Sequence, residues 1–223
     1  MMAKRGVRLW SFCISVCVKP AGVLSTDEPG GMPSRLRTAL GGETAPIYTV
    51  HRLDAAVGGV MVYARTRHAA SDLGKAIQTG AVRKEYFAAA CGALPLPDGE
   101  LCDLLRRDRN LRKTFVAEAP GKDVREARLG YQTLAGRGGL WLYRVRLYTG
   151  RPHQIRCQFA AHGAPLWGDA KYGGSGEGNI ALFSCTLAFP HPVTGETMTF
   201  HKSPDAAYPW TEFCEELSEW TQS

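Results

Sequence analysis

Apolar and polar positions alternate along this chain with two different periods, and the changes of period mark out its elements. Val57 to Ala64, VGGVMVYA, is an apolar run of strand length, which predicts a strand buried on both faces. From Arg67 to Thr79 the period lengthens. Ala70, Leu73 and Ile77 share one helical face, Thr66 precedes them as an N-cap and Gly80 follows as a stop, so a helix is expected there. Val82 to Cys91 returns to strand. Gly139 to Thr149 predicts a long strand, in which Trp141, Tyr143, Val145 and Leu147 alternate with Leu142, Arg144 and Arg146. A helix from about Pro152 to His162 follows, with Pro152 suited to the first turn and Gly163 to the position after the end. At the N-terminus, Leu9 to Val18 predicts one first strand that stops at the turn Lys19-Pro20-Ala21-Gly22. Residues 25–46, STDEPGGMPSRLRTALGGETAP, are rich in Gly and Pro and are expected to form a mobile surface loop.

Strands outnumber helices and strict β-α-β alternation is missing. The expected class is α+β: a single domain over residues 1–223, built around a mixed, largely antiparallel sheet with flanking helices. Its core covers about residues 14–202, followed by an acidic tail, 203–223.

Composition narrows the setting. At 223 residues, 44% hydrophobic and 22% charged, the chain can build a core without covalent staples. Its seven cysteines include no C-x-x-C pair, which favours reduced thiols and a cytoplasmic setting over a disulfide framework or a zinc site. The net charge of +6 is uneven: after Lys202 come only Asp205, Glu212, Glu215, Glu216 and Glu219, which leaves +11 on residues 1–202. A basic body fits a polyanionic partner, and equally a solvated face. The apolar run Leu9 to Val18 imitates a signal peptide, but it is too short to span a bilayer and no small-residue cleavage site follows. No membrane association is expected.

Two stretches carry candidate chemistry. YTVHRLD, residues 48–54, sets His51, Arg52 and Asp54 at the mouth of the buried strand, where a carboxylate costs free energy unless it is paired or put to use. In GRPHQIR, residues 150–156, His153 and Arg156 share a side of the expected helix and Arg151 precedes it, a start suited to a phosphate or carboxylate. Were Arg156 to meet Asp54, the carboxylate would stay ionised in a dry site, as a nucleophile requires. Spacing alone leaves a purely structural ion pair equally open. His51, Asp54 and His153 could also suggest a metal-dependent hydrolase, although the remaining histidines do not stand at ligand spacing. The segment LLRRDRNLRK, residues 104–113, carries five basic residues against one acid, as a surface loop that follows a nucleic-acid backbone or is merely solvated.

HRLD at 51–54 with Gly58-Gly59 and ARTRHA, VRKEYFAAACG at 82–92, GRPHQIR with HGAPLWGDAKYG after it, and LFSCTLAFPHPVTGE at 182–196 together resemble the RluA-type pseudouridine synthases, in order and spacing over about residues 14–202. The resemblance implies the pseudouridine synthase catalytic fold and isomerisation of uridine to pseudouridine in ribosomal or transfer RNA, with no cofactor and no metal; the protein is expected to be monomeric. By the same resemblance Asp54 is the catalytic aspartate, Tyr86 the tyrosine that stacks on the target base, Arg156 the arginine that pairs with the aspartate, Leu182 the apolar residue packed by the base, and Arg52 the residue that fills the gap left by the flipped nucleotide. His51, Arg151 and His153 are candidate substrate-binding residues. Lys19 matches the lysine of the family's K-P-x-G turn, with an expected structural role and some RNA contact.

The chain departs from that pattern at Val57-Gly58, where relatives usually have Thr-Ser, at Pro152 and Gln158, and at Phe183-Ser184. These positions bear on supporting hydrogen bonds and on RNA choice. The eighteen residues before Lys19 are too few for the S4-type RNA-binding domain that many relatives carry, so recognition is expected to fall to the catalytic domain or a partner. The competing reading is a folded RNA-binding relative without catalysis, whose RNA affinity would survive Asp54→Asn.

Overall fold

A computed structural model describes residues 7–42 and 44–222. In chain order the elements are β1 (Val7–Ser11), β2 (Ile14–Lys19), α1 (Met32–Leu40), β3 (Tyr48–Thr49), β4 (Gly58–Ala64), α2 (Arg67–Gln78), β5 (Arg83–Ala90), β6 (Asp98–Asp108), β7 (Lys113–Val116), β8 (Val124–Arg137), β9 (Leu140–Leu147), α3 (Gln154–Ala161), β10 (Leu182–Pro190), β11 (Thr197–His201) and α4 (Cys214–Gln222). The chain divides into two compact units, residues 1–83 with 184–202 and residues 84–183 with 203–223.

In the first unit β2 pairs antiparallel with β1 and β4, β3 with β4, and β11 with β10. Every residue of β4 is buried, because both of its faces are covered. Val60, Val62 and Ala64 pack with Ala69 and Leu73 of α2 and with Leu187 and Phe189 of β10. On the alternate positions the Tyr63 hydroxyl donates to the Ser25 carbonyl (2.9 Å), and Met61 Sδ lies 3.6 Å from the Ser25 hydroxyl. Burying each large apolar side chain contributes about 1.5–3 kcal/mol. The helix expected from Arg67 is present, and the Thr66 side chain accepts the Ala69 N–H as its cap.

Two expectations fail in this unit. The run Leu9 to Val18 is not one strand; the chain reverses between β1 and β2, with Phe12 95% exposed at the bend. Residues 25–46 are not a loose loop, because they contain α1, with Pro33 in its first turn, Met32, Pro33 and Leu36 buried, and Gly41 closing it at φ +79°.

In the second unit β5, β9, β8, β6 and β7 pair in that order, each pair antiparallel. Helix α3 covers one face: Phe159 meets Tyr143 and Tyr131 edge-on at 5.2 and 6.4 Å, and Cys157 packs with Leu105 and Ala127. The helix begins at Gln154, two residues later than expected, after His153 at φ +54°. Its end follows expectation: Gly163 is left-handed at φ +81°, its N–H reaches the Ala160 carbonyl, and the Ala164 N–H reaches that of Phe159, the paired closure of a Schellman motif. The acidic segment is folded. Trp220 of α4 meets Phe87 of β5 at 5.0 Å, and Arg137 of β8 bonds the Glu212 carbonyl (2.7 Å) and the Glu216 carboxylate (2.9 Å). The basic stretch 104–113, expected as a loop, is the end of β6, a tight turn and the start of β7. Among the described residues no helix is long and apolar enough to cross a membrane.

Candidate active site

Asp54 lies on the chain between β3 and β4, half-buried. The backbone on either side of it is fixed by side chains. His51, past the last residue of β3, accepts the Val62 N–H with Nε2 (3.1 Å), so an imidazole satisfies the β4 backbone where β3 has ended. Buried Ser25 then holds both polar groups of Leu53: its hydroxyl donates to the Leu53 carbonyl (2.8 Å) and accepts the Leu53 N–H (3.1 Å). The Asp54 carbonyl takes the Val57 N–H (3.0 Å), closing a tight turn. Inside that turn the Ala55 carbonyl accepts from the Gly22 N–H (2.8 Å) and from Lys19 Nζ (3.0 Å). Asp54 is thus clamped from the residue before and the residue after.

Lys19 is fully buried. Besides Ala55, its ammonium donates to the carbonyls of Pro20 (2.9 Å) and Val23 (2.7 Å). Three carbonyls use its three protons, so the side chain is structural and the expected RNA contact is not available to it. Burial pushes Lys19 down to about 8, and the negative charge of Asp54 acts in the opposite direction. Arg52 is exposed. The paired glycines after the aspartate have a geometric reason at Gly59: its φ is +128°, and a Cβ there would lie 2.4 Å from both the N and the O of Ser184. The Ser184 hydroxyl bonds the Val60 carbonyl (3.2 Å).

In the second unit Arg156 is buried on α3 and grips buried Asp169 with two parallel bonds, Nε to Oδ2 at 2.6 Å and Nη2 to Oδ1 at 2.8 Å. Such a fork fixes the guanidinium plane. Asp169 sits in a backbone turn, its carbonyl taking the N–H groups of Tyr172 (3.0 Å) and Gly174 (2.9 Å). Tyr172 is the hub beside it: Arg156 lies over its ring at 5.2 Å, its hydroxyl accepts the Thr114 N–H (2.8 Å), and His153 Nδ1 stands 3.0 Å from the same hydroxyl. Burial pushes the Tyr172 hydroxyl up to about 12, so it is a neutral phenol at working pH. Of the expected residues, the fold gathers Arg156 and His153 around Tyr172. Arg151 is exposed, its Nε bonded to the Glu126 carbonyl (2.9 Å). Tyr86 on β5, opposite Val145 of β9, and Leu182 at the start of β10 are buried.

Sequence reasoning missed Ser25, Asp169 and Tyr172. The last two stand inside HGAPLWGDAKYG, which drew notice as a motif without its Asp and Tyr being assigned work. Of the departures, Pro152 offers its carbonyl to the Thr114 hydroxyl (2.8 Å). Gln158 is fully buried, and its amide nitrogen reaches the carbonyls of Leu101 and Ala127 and the Asp103 carboxylate (2.7 Å), while its Oε1 has no hydrogen-bond partner among the described residues. Also among the described residues, no group of three or more His, Cys, Asp or Glu side chains is placed to hold a metal ion.

The α+β fold is shared with solved structures of pseudouridylate synthase domains. It matches human RNA Pseudouridylate Synthase Domain Containing 4 with a TM-score of 0.77 at 20% identity, over 96% of this chain and 93% of that one. The match to human RNA Pseudouridylate Synthase Domain Containing 1 has the same TM-score at 19% identity, over 99% and 94%. In sequence, the chain is 31% identical over 186 residues to the uncharacterized RNA pseudouridine synthase YhcT of Bacillus subtilis, covering 80% of this chain and 61% of the relative. It is 34% identical over 169 residues to the ribosomal large subunit pseudouridine synthase D of Vibrio cholerae, covering 68% and 51%. Residues 14–161 match the family profile of RNA pseudouridylate synthase, and the chain belongs to that family. It spans roughly half to two-thirds of the length of these curated relatives.

Proposed function

We propose that this protein isomerises uridine to pseudouridine within structured RNA, with Asp54 as the nucleophile. The observation that carries the reading is the family match over residues 14–161 together with an Asp54 turn held on both sides, by Ser25 at Leu53 and by Lys19 and Gly22 at Ala55. A turn held in this way supplies the positioning that covalent catalysis needs. The target uridine is extruded from its helix. Asp54 attacks the flipped nucleotide, the N1–C1′ bond breaks, the uracil turns, a C5–C1′ bond forms, the bond to Asp54 breaks to restore the free carboxylate, the C5 proton leaves to solvent and N1 takes up a proton. No atom is gained or lost overall.

In this reading the chain acts as a single catalytic domain. Tyr86 stacks on the base, Leu182 packs against it, and Arg156, oriented by Asp169, is the counter-charge of Asp54. Arg52 fills the space the base leaves, and Arg151 and His153 meet the RNA near the start of α3. His51, whose Nε2 is engaged by Val62, supports the Asp54 segment. The substrate is ribosomal or transfer RNA, and the enzyme works in the cytoplasm as a monomer. Two relatives named ribosomal large subunit pseudouridine synthase D favour ribosomal RNA.

The test is tritium release from cellular RNA labelled with [5-³H]uridine. Wild type releases tritium, and Asp54→Asn, folded to the same circular-dichroism spectrum, releases none. Release by Asp54→Asn at the wild-type rate, or no release by wild type from any RNA fraction, would reject the assignment.

A further inference from the structure

The basic hairpin of the second unit is not used by the chemistry above. Around the β6–β7 turn the chain carries Arg106, Arg107, Arg109, Arg112 and Lys113 against one acid, Asp108. All four arginines are exposed, and among the described residues none of their guanidinium groups has a hydrogen bond, ion pair or aromatic partner. Elsewhere in this unit arginines are engaged: Arg128 pairs with Glu100, Arg137 with Glu216, Arg144 with Glu85 and Arg156 with Asp169, Arg125 and Arg151 bond backbone carbonyls, and Arg146 stacks on Tyr148. Four like charges within seven residues repel one another, and an arrangement that leaves them unneutralised invites an external polyanion.

The hairpin is also stiff. Asp108 Oδ1 accepts the N–H groups of Asn110 and Leu111, both at 2.9 Å, Arg112 turns the chain at φ +48°, and Lys171 reaches the carbonyls of Leu111 and Arg112. Its base is fastened beside α3. Thr114, opposite Arg107 in the ladder, donates its hydroxyl to Pro152 and its N–H to Tyr172, and Lys113 lies 4.9 Å over the Tyr172 ring. The same Tyr172 underlies Arg156. The backbone that carries the charges is therefore preorganised, so binding needs little further ordering of the chain, and the base of the hairpin is held in fixed relation to Arg156.

We propose that the β6–β7 hairpin is an arm that grips the phosphate backbone of the RNA helix flanking the target nucleotide, with Arg106, Arg107, Arg109 and Arg112 meeting phosphates. This rests on the RNA reading of the site, which selects RNA over an acidic protein or an anionic membrane. Arginine binds phosphate bidentately, and double-stranded RNA is held mostly through its backbone and shape.

The test is fluorescence anisotropy with a fluorescein-labelled RNA stem-loop across a salt series, on wild type, on the variant carrying Arg106→Gln, Arg107→Gln, Arg109→Gln and Arg112→Gln, and on Arg125→Gln as an exposed control. The quadruple variant should lose about 3 from the slope of log Kd against log salt, and at least about tenfold in affinity, while Arg125→Gln stays at wild type. An unchanged slope in a folded quadruple variant overturns the arm. So does an unchanged RNA slope accompanied by lost binding to phosphatidylglycerol vesicles, which would assign the hairpin to membranes. Tritium release by wild type is scored in parallel: release with an unchanged slope rejects the arm and leaves the site reading standing, whereas no release rejects the site reading independently.

Discussion

Ser25→Ala is the sharpest test of how Asp54 is held. The hydroxyl is 3.6 Å from Met61 and makes two bonds to Leu53, one to its carbonyl at 2.8 Å and one from its N–H at 3.1 Å; Leu53 itself is 7% exposed. The alanine leaves a donor and an acceptor of the backbone unpaired beside the aspartate. Each unpaired buried group costs about 1–3 kcal/mol, so the variant should lose about 2–4 kcal/mol, seen in urea unfolding and as a Tm lower by roughly 5–15 °C for a chain of this size. Leu53 is the residue before Asp54, and water entering to satisfy it shifts the turn. A displacement near 1 Å can cost about 100-fold in rate, so kcat for tritium release should fall about 10–100-fold while KM changes less than about threefold. Thr26→Ala, next along the chain and with its hydroxyl bonded to exposed Glu28, is the control and should match wild type in both assays. If Ser25→Ala keeps wild-type kcat and Tm, Asp54 is positioned by something else and the clamp argument fails.

Two further outcomes follow from the packing. Asp169→Ala strips buried Arg156 of its bidentate partner and should cost about 3–5 kcal/mol in urea unfolding, with activity falling alongside; a loss under about 1 kcal/mol would show that Asp169 does not hold the guanidinium. Gly59→Ala places a Cβ at 2.4 Å from two backbone atoms of Ser184, at a φ of +128°. Since neither strand can yield, it should lose at least about 3 kcal/mol or fail to fold, and a thermal scan that matches wild type would contradict the geometry.

What was legible in the sequence, and what was not, separates by how local the physics is. α2 was readable because its cap, apolar face and stop are local: Thr66 bonds Ala69 within one turn. β4 was readable because a strand covered on both faces has no polar positions. The β1–β2 bend was not, since Phe12-Cys13 contains none of the residues that usually announce a turn, and an exposed Phe12 continues the apolar run. α1 was hidden by its own caps: the Gly and Pro that suggested a loose segment are Pro33 in the first turn and Gly41 at the end, the usual asymmetry of a helix. The arginines of 104–113 suggested solvent and masked a strand ladder running from Leu105 opposite Val116 to Asp108 opposite Lys113. For the proposed site, Asp54, Arg156 and Tyr86 are nominated by motif. Ser25 and Asp169 are not, because a serine that bonds the backbone of Leu53 and a carboxylate thirteen residues from its arginine have meaning only once the chain has folded.

The charge that made Asp54 conspicuous has a counterpart in its own unit. Lys19 loses solvation by burial, which pushes it down to about 8, and Asp54 pulls it back toward its ordinary 10.5. The sign of the stability effect follows. Between about 8 and 10.5 the unfolded chain holds a proton on Lys19 that the folded chain has released, so stability rises with pH by up to about 1.4 kcal/mol per unit in that window. Cys17, raised to about 12 by burial, acts in the opposite sense only above its ordinary 9.0. In Asp54→Asn the favourable charge is gone, Lys19 should release its proton at a lower pH, and the rise in stability should begin below 8. Urea unfolding of wild type and Asp54→Asn from pH 6.5 to 9 reads this directly. Parallel curves would mean that Lys19 and Asp54 do not share their electrostatic cost, and that the three carbonyls around the ammonium suffice to keep it buried.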